Sequence, residues 1–244
     1  MAKYRIQRRI PDRRRGSGVK PDWSMFDRIF CIHFLPYRER LPKIKEELGR
    51  IGVLDLPQFE FYYTVDNRYY PFLLLLGNGR HRNDICRLGS TYEESEDRFR
   101  NGVDLNNVCC ANVGYTIDSY NLMKMCVQMG YRRILVIEDD AKFLNDLGRL
   151  SGVFSRVPDD FDVVNFDPYT PKENLPSAMP EPENGFIRYQ GGYPVYNTTC
   201  MAFSARGLRH IVERQEKLMR PFDHYTWFET GTLNVYQAAE RACI

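Results

Sequence analysis

The chain has 244 residues, 43% hydrophobic and 14% aromatic, which supplies a proper core for one substantial domain or two small ones. A net charge of +2 hides an asymmetry: residues 1–22 hold eight of the 34 Lys and Arg but only Asp12 and Asp22 of the 32 acids, leaving 26 basic against 30 acidic residues beyond them. A bilayer span is excluded, because no stretch approaches the ~20 apolar residues it needs, and Phe72-Leu73-Leu74-Leu75-Leu76 is far too short.

Residues 1–25 read as a flexible basic arm, with Pro11, Gly16, Gly18 and Pro21 and no apolar period. Such an arm can touch a nucleic-acid backbone or an anionic membrane surface, or it can be a solvated tail. It lacks the apolar core of a signal peptide. The seven cysteines include Cys31, Cys126 and Cys200 within apparent elements and no paired CxxC to suggest zinc. They suit buried thiols in a reducing compartment, so the expected location is cytoplasmic, with peripheral membrane contact through the arm as an option. The glycosylation sequon Asn197-Thr198-Thr199 carries no weight without an export signal.

After the arm, residues 26–244 read as a single domain. Arg28 to Leu35 predicts a buried strand, and Pro36 to Arg40 turns the chain into a helix with Leu41, Ile44, Leu48 and Ile51 on one face. Gly52 is placed as its C′ cap. Phe59 to Val65 alternates as a strand and ends at Asp66-Asn67, so the opening is β-α-β, the start of a parallel sheet. Residues 68–107 fit no regular pattern and read as an insertion. From Gly114 to Met129, Tyr115, Leu122, Met125, Cys126 and Met129 share a helical face closed by Gly130.

Arg133 to Asp140 is the centre of the chain. Four large apolar residues, Ile134-Leu135-Val136-Ile137, run straight into Glu138-Asp139-Asp140. The first part predicts a strand buried on both faces, being short, mostly β-branched and without alternation. Three carboxylates at its end are costly to bury unless a cation meets them, and ligands of open α/β sheets gather at the carboxyl ends of strands. The alternative is an acidic strand end that turns into solvent and caps the next helix. Phe161 to Phe166 predicts another strand. Asp167 to Pro194 is a long loop with six of the fourteen prolines, of a length usual for functional lids or disordered segments. Val195 to Phe203 predicts a strand and Ser204 an N-cap for a helix with Leu208, Ile211, Val212, Leu218 and Met219 on one side, ended by Pro221.

The order of these features resembles glycosyltransferase family 25, the lipopolysaccharide and collagen sugar transferases. Cys31 to Phe34 with Arg38 and Arg40 is similar to that family's first strand and nucleotide-binding turn, and Thr64-Val65-Asp66 to its "A-V-D" element. Cys110 with the helix behind it, then Ile134 to Asp140, resembles its helix and hydrophobic-E-D-D signature. Asn197 to Ile211 resembles its strand-then-helix segment, and Pro221 to His224 its late "P-x-D" element. The departures are His33, where the family usually carries Asn, the absent Ser-His pair near Val113-Gly114-Tyr115, and the insertion.

The resemblance implies an α/β, GT-A (Rossmann-like) fold with a mostly parallel central sheet flanked by helices, a nucleotide-sugar donor of UDP type, Mn²⁺ or Mg²⁺, and an inverting transfer to a glycan, lipid-linked or protein hydroxyl. Under it Asp140 is the metal ligand, Glu138 and Asp139 meet ribose or sugar hydroxyls, and Arg38 and Arg40 pair with diphosphate through their fork geometry. Asp66 accepts from the uracil or ribose, or is a turn aspartate. Asp223 is the general base, or a helix N-cap. His224 completes the metal shell, or packs among Phe222, Tyr225 and Trp227. His33, on an apolar strand, reads as a satisfied core histidine. Two other functions stay open: a binding module that has lost catalysis, and a transferase acting on hydroxylated bases of nucleic acid.

Overall fold

A computed structural model describes residues 19–64, 105–170, 174–176, 179–191, 195, 197–215 and 232–244; the side chains of 105–114, 116, 117, 214 and 215 are not described. The elements in chain order are β1 (Arg28–Phe34), α1 (Arg40–Ile51), β2 (Phe59–Thr64), α2 (Leu105–Gln128), β3 (Arg133–Glu138), α3 (Leu147–Phe154), β4 (Val163–Asn165), β5 (Phe186–Arg188), β6 (Cys200–Ser204), α4 (Ala205–Gln215) and β7 (Val235–Ala238). The seven strands form one sheet in the order β2-β1-β3-β6-β4-β7-β5. β1 runs parallel to β2 and β3, β6 lies antiparallel between β3 and β4, β7 is parallel to β4, and β5 closes the edge antiparallel to β7. The fold is mixed α/β. Its first three strands are the parallel sheet that the β-α-β opening predicts.

Burial on both faces explains why the central strands show no alternation. From β3, Leu135 and Ile137 enter a core with Ile44, Leu48 and Ile51 of α1 and Leu150, Val153 and Phe154 of α3. Ile134 and Val136 enter the opposite core with Leu122, Met123 and Cys126 of α2 and Leu208 and Ile211 of α4. β1 divides likewise, Ile29 and Cys31 to one side and Phe30 and Ile32 to the other. Each side chain of these strands therefore loses apolar area to a helix layer, which is what stabilises a parallel centre.

The helix ends follow local chemistry. Gly52 closes α1 at φ 80°, and its N–H reaches back to Gly49 O at 3.2 Å, as a left-handed C-cap does. Ser204 caps α4: Gly207 N donates to its Oγ at 3.1 Å. Asp146 caps α3, accepting from Arg149 N at 3.0 Å. α2 starts nine residues before its predicted Gly114: Leu105, Val108, Cys109 and Val113 continue the helical spacing upstream of that glycine. β6 begins at Cys200 and not at Val195, because Asn197 stands at φ 67° and breaks the extended run. The predicted end of the last helix at Pro221, and residues 68–104 of the predicted insertion at 68–107, lie outside the described residues; the last three residues of that stretch open α2.

Candidate active site

The strand directions place one set of termini along a single edge. The carboxyl ends of β1, β3, β4 and β7 lie there, and the chain entering β6 comes in beside them. The acids at the end of β3 therefore meet groups 23 to 106 residues away in sequence.

Asp139 turns inward. It is 5% exposed, and its Oδ2 accepts from His33 Nδ1 at 2.7 Å and from Phe34 N at 3.1 Å. Its Oδ1 accepts from Arg40 Nη1 at 2.9 Å. An ionised carboxylate is acceptor-only, so His33 presents its Nδ1–H here. His33 is thus the satisfied core histidine its strand position predicts, and three donors hold the buried carboxylate.

Asp140 turns outward. It is 52% exposed, and its Oδ2 lies 3.1 Å from the same Arg40 Nη1. Arg40 opens α1, with its guanidinium over the Tyr37 ring at 4.5 Å from the centroid. Burial works against its charge, but the hydrogen bond it donates to Asp139 and both acidic charges outweigh it, and its pKa is raised.

Glu138 faces a different partner set. Its Oε1 accepts from Tyr115 Oη of α2 at 2.8 Å and from Thr198 Oγ1 at 2.6 Å, and those two hydroxyls lie 3.1 Å apart. Glu138 N donates to Thr199 O at 2.8 Å. Burial raises the Glu138 pKa; the two hydroxyls oppose that shift, and the charges of Asp140 and Asp139 add to it.

A second buried carboxylate supports the Thr198 segment from the far side. Asp167, just past β4, is paired with Arg241, which follows β7, and accepts from Asn197 Nδ2 at 3.3 Å. Asn165 Oδ1 accepts from Asp167 N at 2.8 Å, and Asn165 Nδ2 donates to Asn197 O at 2.7 Å. Residues 197–199 are therefore held between Glu138 and Asp167. Burial raises the Asp167 pKa, more than Arg241 and the neighbouring hydrogen bonds lower it.

Of the residues singled out in the sequence, the structure brings together His33, Arg40, Asp139 and Asp140, with Glu138 adjacent. Arg38 is exposed in the turn before α1. Asp66, Asp223 and His224 lie outside the described residues. Tyr115, Thr198, Asn197, Asp167 and Arg241 belong to the same edge and carry no sequence signal for it. Tyr115 reads as one apolar helix position, Thr198 as part of a sequon and Asp167 as the start of a loop.

The donor set meets the needs of a divalent ion in part. Among the described residues no three His, Cys, Asp or Glu side chains gather into a metal site. Asp139 is fully engaged and Glu138 has one oxygen held by two hydroxyls, so Asp140 is the carboxylate of the three that can reach an ion from solvent. A hard dication beside a diphosphate can manage with one or two carboxylates, phosphate oxygens and water. Asp140 fits that role as one ligand. The thiols do not: Cys31, Cys126, Cys200 and Cys243 are free and buried, and burial pushes Cys126 up to about 12 and Cys31 and Cys243 well above the ordinary thiol range.

The fold and this edge define a mixed α/β protein with an acid–arginine site at the carboxyl ends of its strands. No protein-family model and no curated sequence matches the chain. Solved structures similar to it include a mannose-1-phosphate geranyltransferase from Thermus thermophilus, at 13% identity over 88% of this chain and 74% of that one, with a TM-score of 0.41. Another is the apo form of mouse xyloside xylosyltransferase 1, at 9% identity over 84% and 82%, with a TM-score of 0.35. Among the described residues no helix is long and apolar enough to cross a membrane.

Proposed function

We propose that the chain is a glycosyltransferase that moves a sugar from a nucleoside-diphosphate donor, UDP-linked in the first instance, to a hydroxyl of a glycan, lipid-linked or protein acceptor. The observation that supports it best is the meeting of Arg40 with Asp139 and Asp140 at the carboxyl ends of β1 and β3, the position where open α/β sheets bind ligands. The order of sequence features similar to glycosyltransferase family 25 points the same way.

In this reading the chain performs two tasks. The leaving diphosphate must be neutralised, and Arg40, with Arg38 in the same turn, offers guanidinium donors for phosphate oxygens. Asp140, with His224, would hold Mn²⁺ or Mg²⁺, which as a Lewis acid adds to that neutralisation. The acceptor hydroxyl must lose its proton as its oxygen attacks the anomeric carbon, and Asp223 takes it as general base in an inverting displacement. Glu138 and Asp66 accept from ribose or sugar hydroxyls. Asp139, with its carboxylate held by three donors, acts by positioning Arg40.

The test is donor hydrolysis or transfer by the purified chain with Mn²⁺ and a panel of UDP-sugars. Asp140→Ala or EDTA is expected to lower the rate by about a hundredfold or more, the scale on which one charge-stabilising group acts. Undiminished activity under both rejects the site. The satisfaction of Asp139 and Glu138 within the protein also favours a second reading, a ligand-binding domain without turnover. Calorimetry that finds nucleotide-sugar binding with no turnover of any donor selects it.

A further inference from the structure

Arg40 is one positive charge set between two carboxylates that are not equivalent. Asp139 is buried and has His33 and the Phe34 N–H as further donors. Asp140 is half exposed, and among the described residues Arg40 is its ion-pair partner. Nη1 donates to Asp139 Oδ1 at 2.9 Å and lies 3.1 Å from Asp140 Oδ2 as an ion pair, so both acids sit on one nitrogen. Tyr37 under the guanidinium further restricts it. A phosphate approaching Nε or Nη2 therefore meets a cation whose field is already outweighed by two acids a few ångströms away.

Resting on the reading of this edge as a diphosphate site, we propose that Asp140 restrains Arg40, so that neutralising Asp140 and binding diphosphate at Arg40 promote one another. A dication at Asp140 would cancel the competing charge, and a diphosphate on Arg40 would free Asp140 for the dication. Coupling of this kind is reciprocal by necessity: each ligand tightens the other by the same factor. Asp139, anchored from three sides, keeps Arg40 in place throughout.

UDP is the probe, and calorimetry on the full chain is the measurement, in EDTA and in Mn²⁺. In EDTA, Asp140→Asn is expected to bind UDP roughly tenfold more tightly than the wild type, the scale of removing one like charge several ångströms from a partly exposed phosphate. Arg40→Gln binds more weakly than either, and Asp140→Asn gains several-fold less in the Arg40→Gln background than in the wild type, the shortfall being the part that runs through Arg40; an equal gain in both backgrounds overturns the coupling. Mn²⁺ tightens UDP on the wild type and not on Asp140→Asn. Unchanged or weaker UDP binding by Asp140→Asn in EDTA overturns the coupling while leaving the donor site standing. Failure of every variant to bind UDP in both conditions overturns the donor site itself and the coupling with it. Matching melting temperatures without UDP establish that the variants are folded.

Discussion

Glu138 is where the chemistry of one side chain and the stability of the fold are most directly linked. Its folded pKa is raised, chiefly by burial. A raised carboxyl means that the native state binds more protons than the unfolded chain above the ordinary glutamate value of 4.5. Stability contributed by this group is complete below that pH and declines as pH rises through the folded pKa. Glu138→Gln keeps an acceptor for Tyr115 and Thr198 without the buried charge. The variant is expected to equal the wild type below about pH 4.5 and to exceed it in stability at pH 7, read by urea unfolding across that range. A wild type that gains on the variant as pH rises would contradict the assignment of burial as the dominant cause. At Asp139 the loss of the side chain destabilises instead. Its removal leaves the buried His33 and the Phe34 N–H without their acceptor and Arg40 with Asp140 alone, so Asp139→Ala should cost about 2–3 kcal/mol in chemical denaturation.

The elements show which local signals decide structure. Gly207, in the first turn of α4, lies so close to the 161–163 segment that an added Cβ would sit 2.2 Å from Asp162 O. The contact is backbone and cannot rotate away. Gly207→Ala should therefore destabilise by about 3 kcal/mol through overpacking. Gly130→Ala, with open space around its Cβ but φ at 71°, should cost about 1 kcal/mol from the left-handed backbone. Denaturant midpoints of the two variants check the ranking. Caps and buried strands were legible because their signals are local: Gly52, Ser204, and the apolar run of β3. β5 and β7 were not read, being three and four residues long. Yet the Asn184-Gly185 turn before β5, with both residues at positive φ, is the two-residue hairpin signal in plain sight.

At the scale of the whole molecule, the site depends on contacts no linear pattern contains. The acidic triplet was readable as a sheet-edge feature. The division of labour among its members was not, since His33 and Arg40 reach Asp139 across sequence separations of 106 and 99. The same holds for the C-terminal segment. Ile244 and Lys142 exchange backbone hydrogen bonds at 2.9 Å in both directions, Leu144 N donates to Ala242 O at 2.9 Å, and Arg241 pairs with Asp167 beneath the Thr198 segment. The chain end thus braces the residues just past Asp140. Arg241→Gln, which leaves Asp167 buried without its cation, should cost about 3 kcal/mol in chemical denaturation. A cost near zero would mean that Asn197 and its neighbours suffice to hold Asp167.

Whether the Asp140–Arg40 edge grips a nucleoside diphosphate is tested most directly by thermal unfolding of the full chain with UDP-sugars and Mn²⁺. A donor at a hundredfold its dissociation constant should raise the melting temperature of the wild type by roughly 5–10 °C, and that rise should vanish in Arg40→Gln and lose its dependence on Mn²⁺ in Asp140→Ala. No shift with any donor, or an equal shift in the two variants, would contradict it.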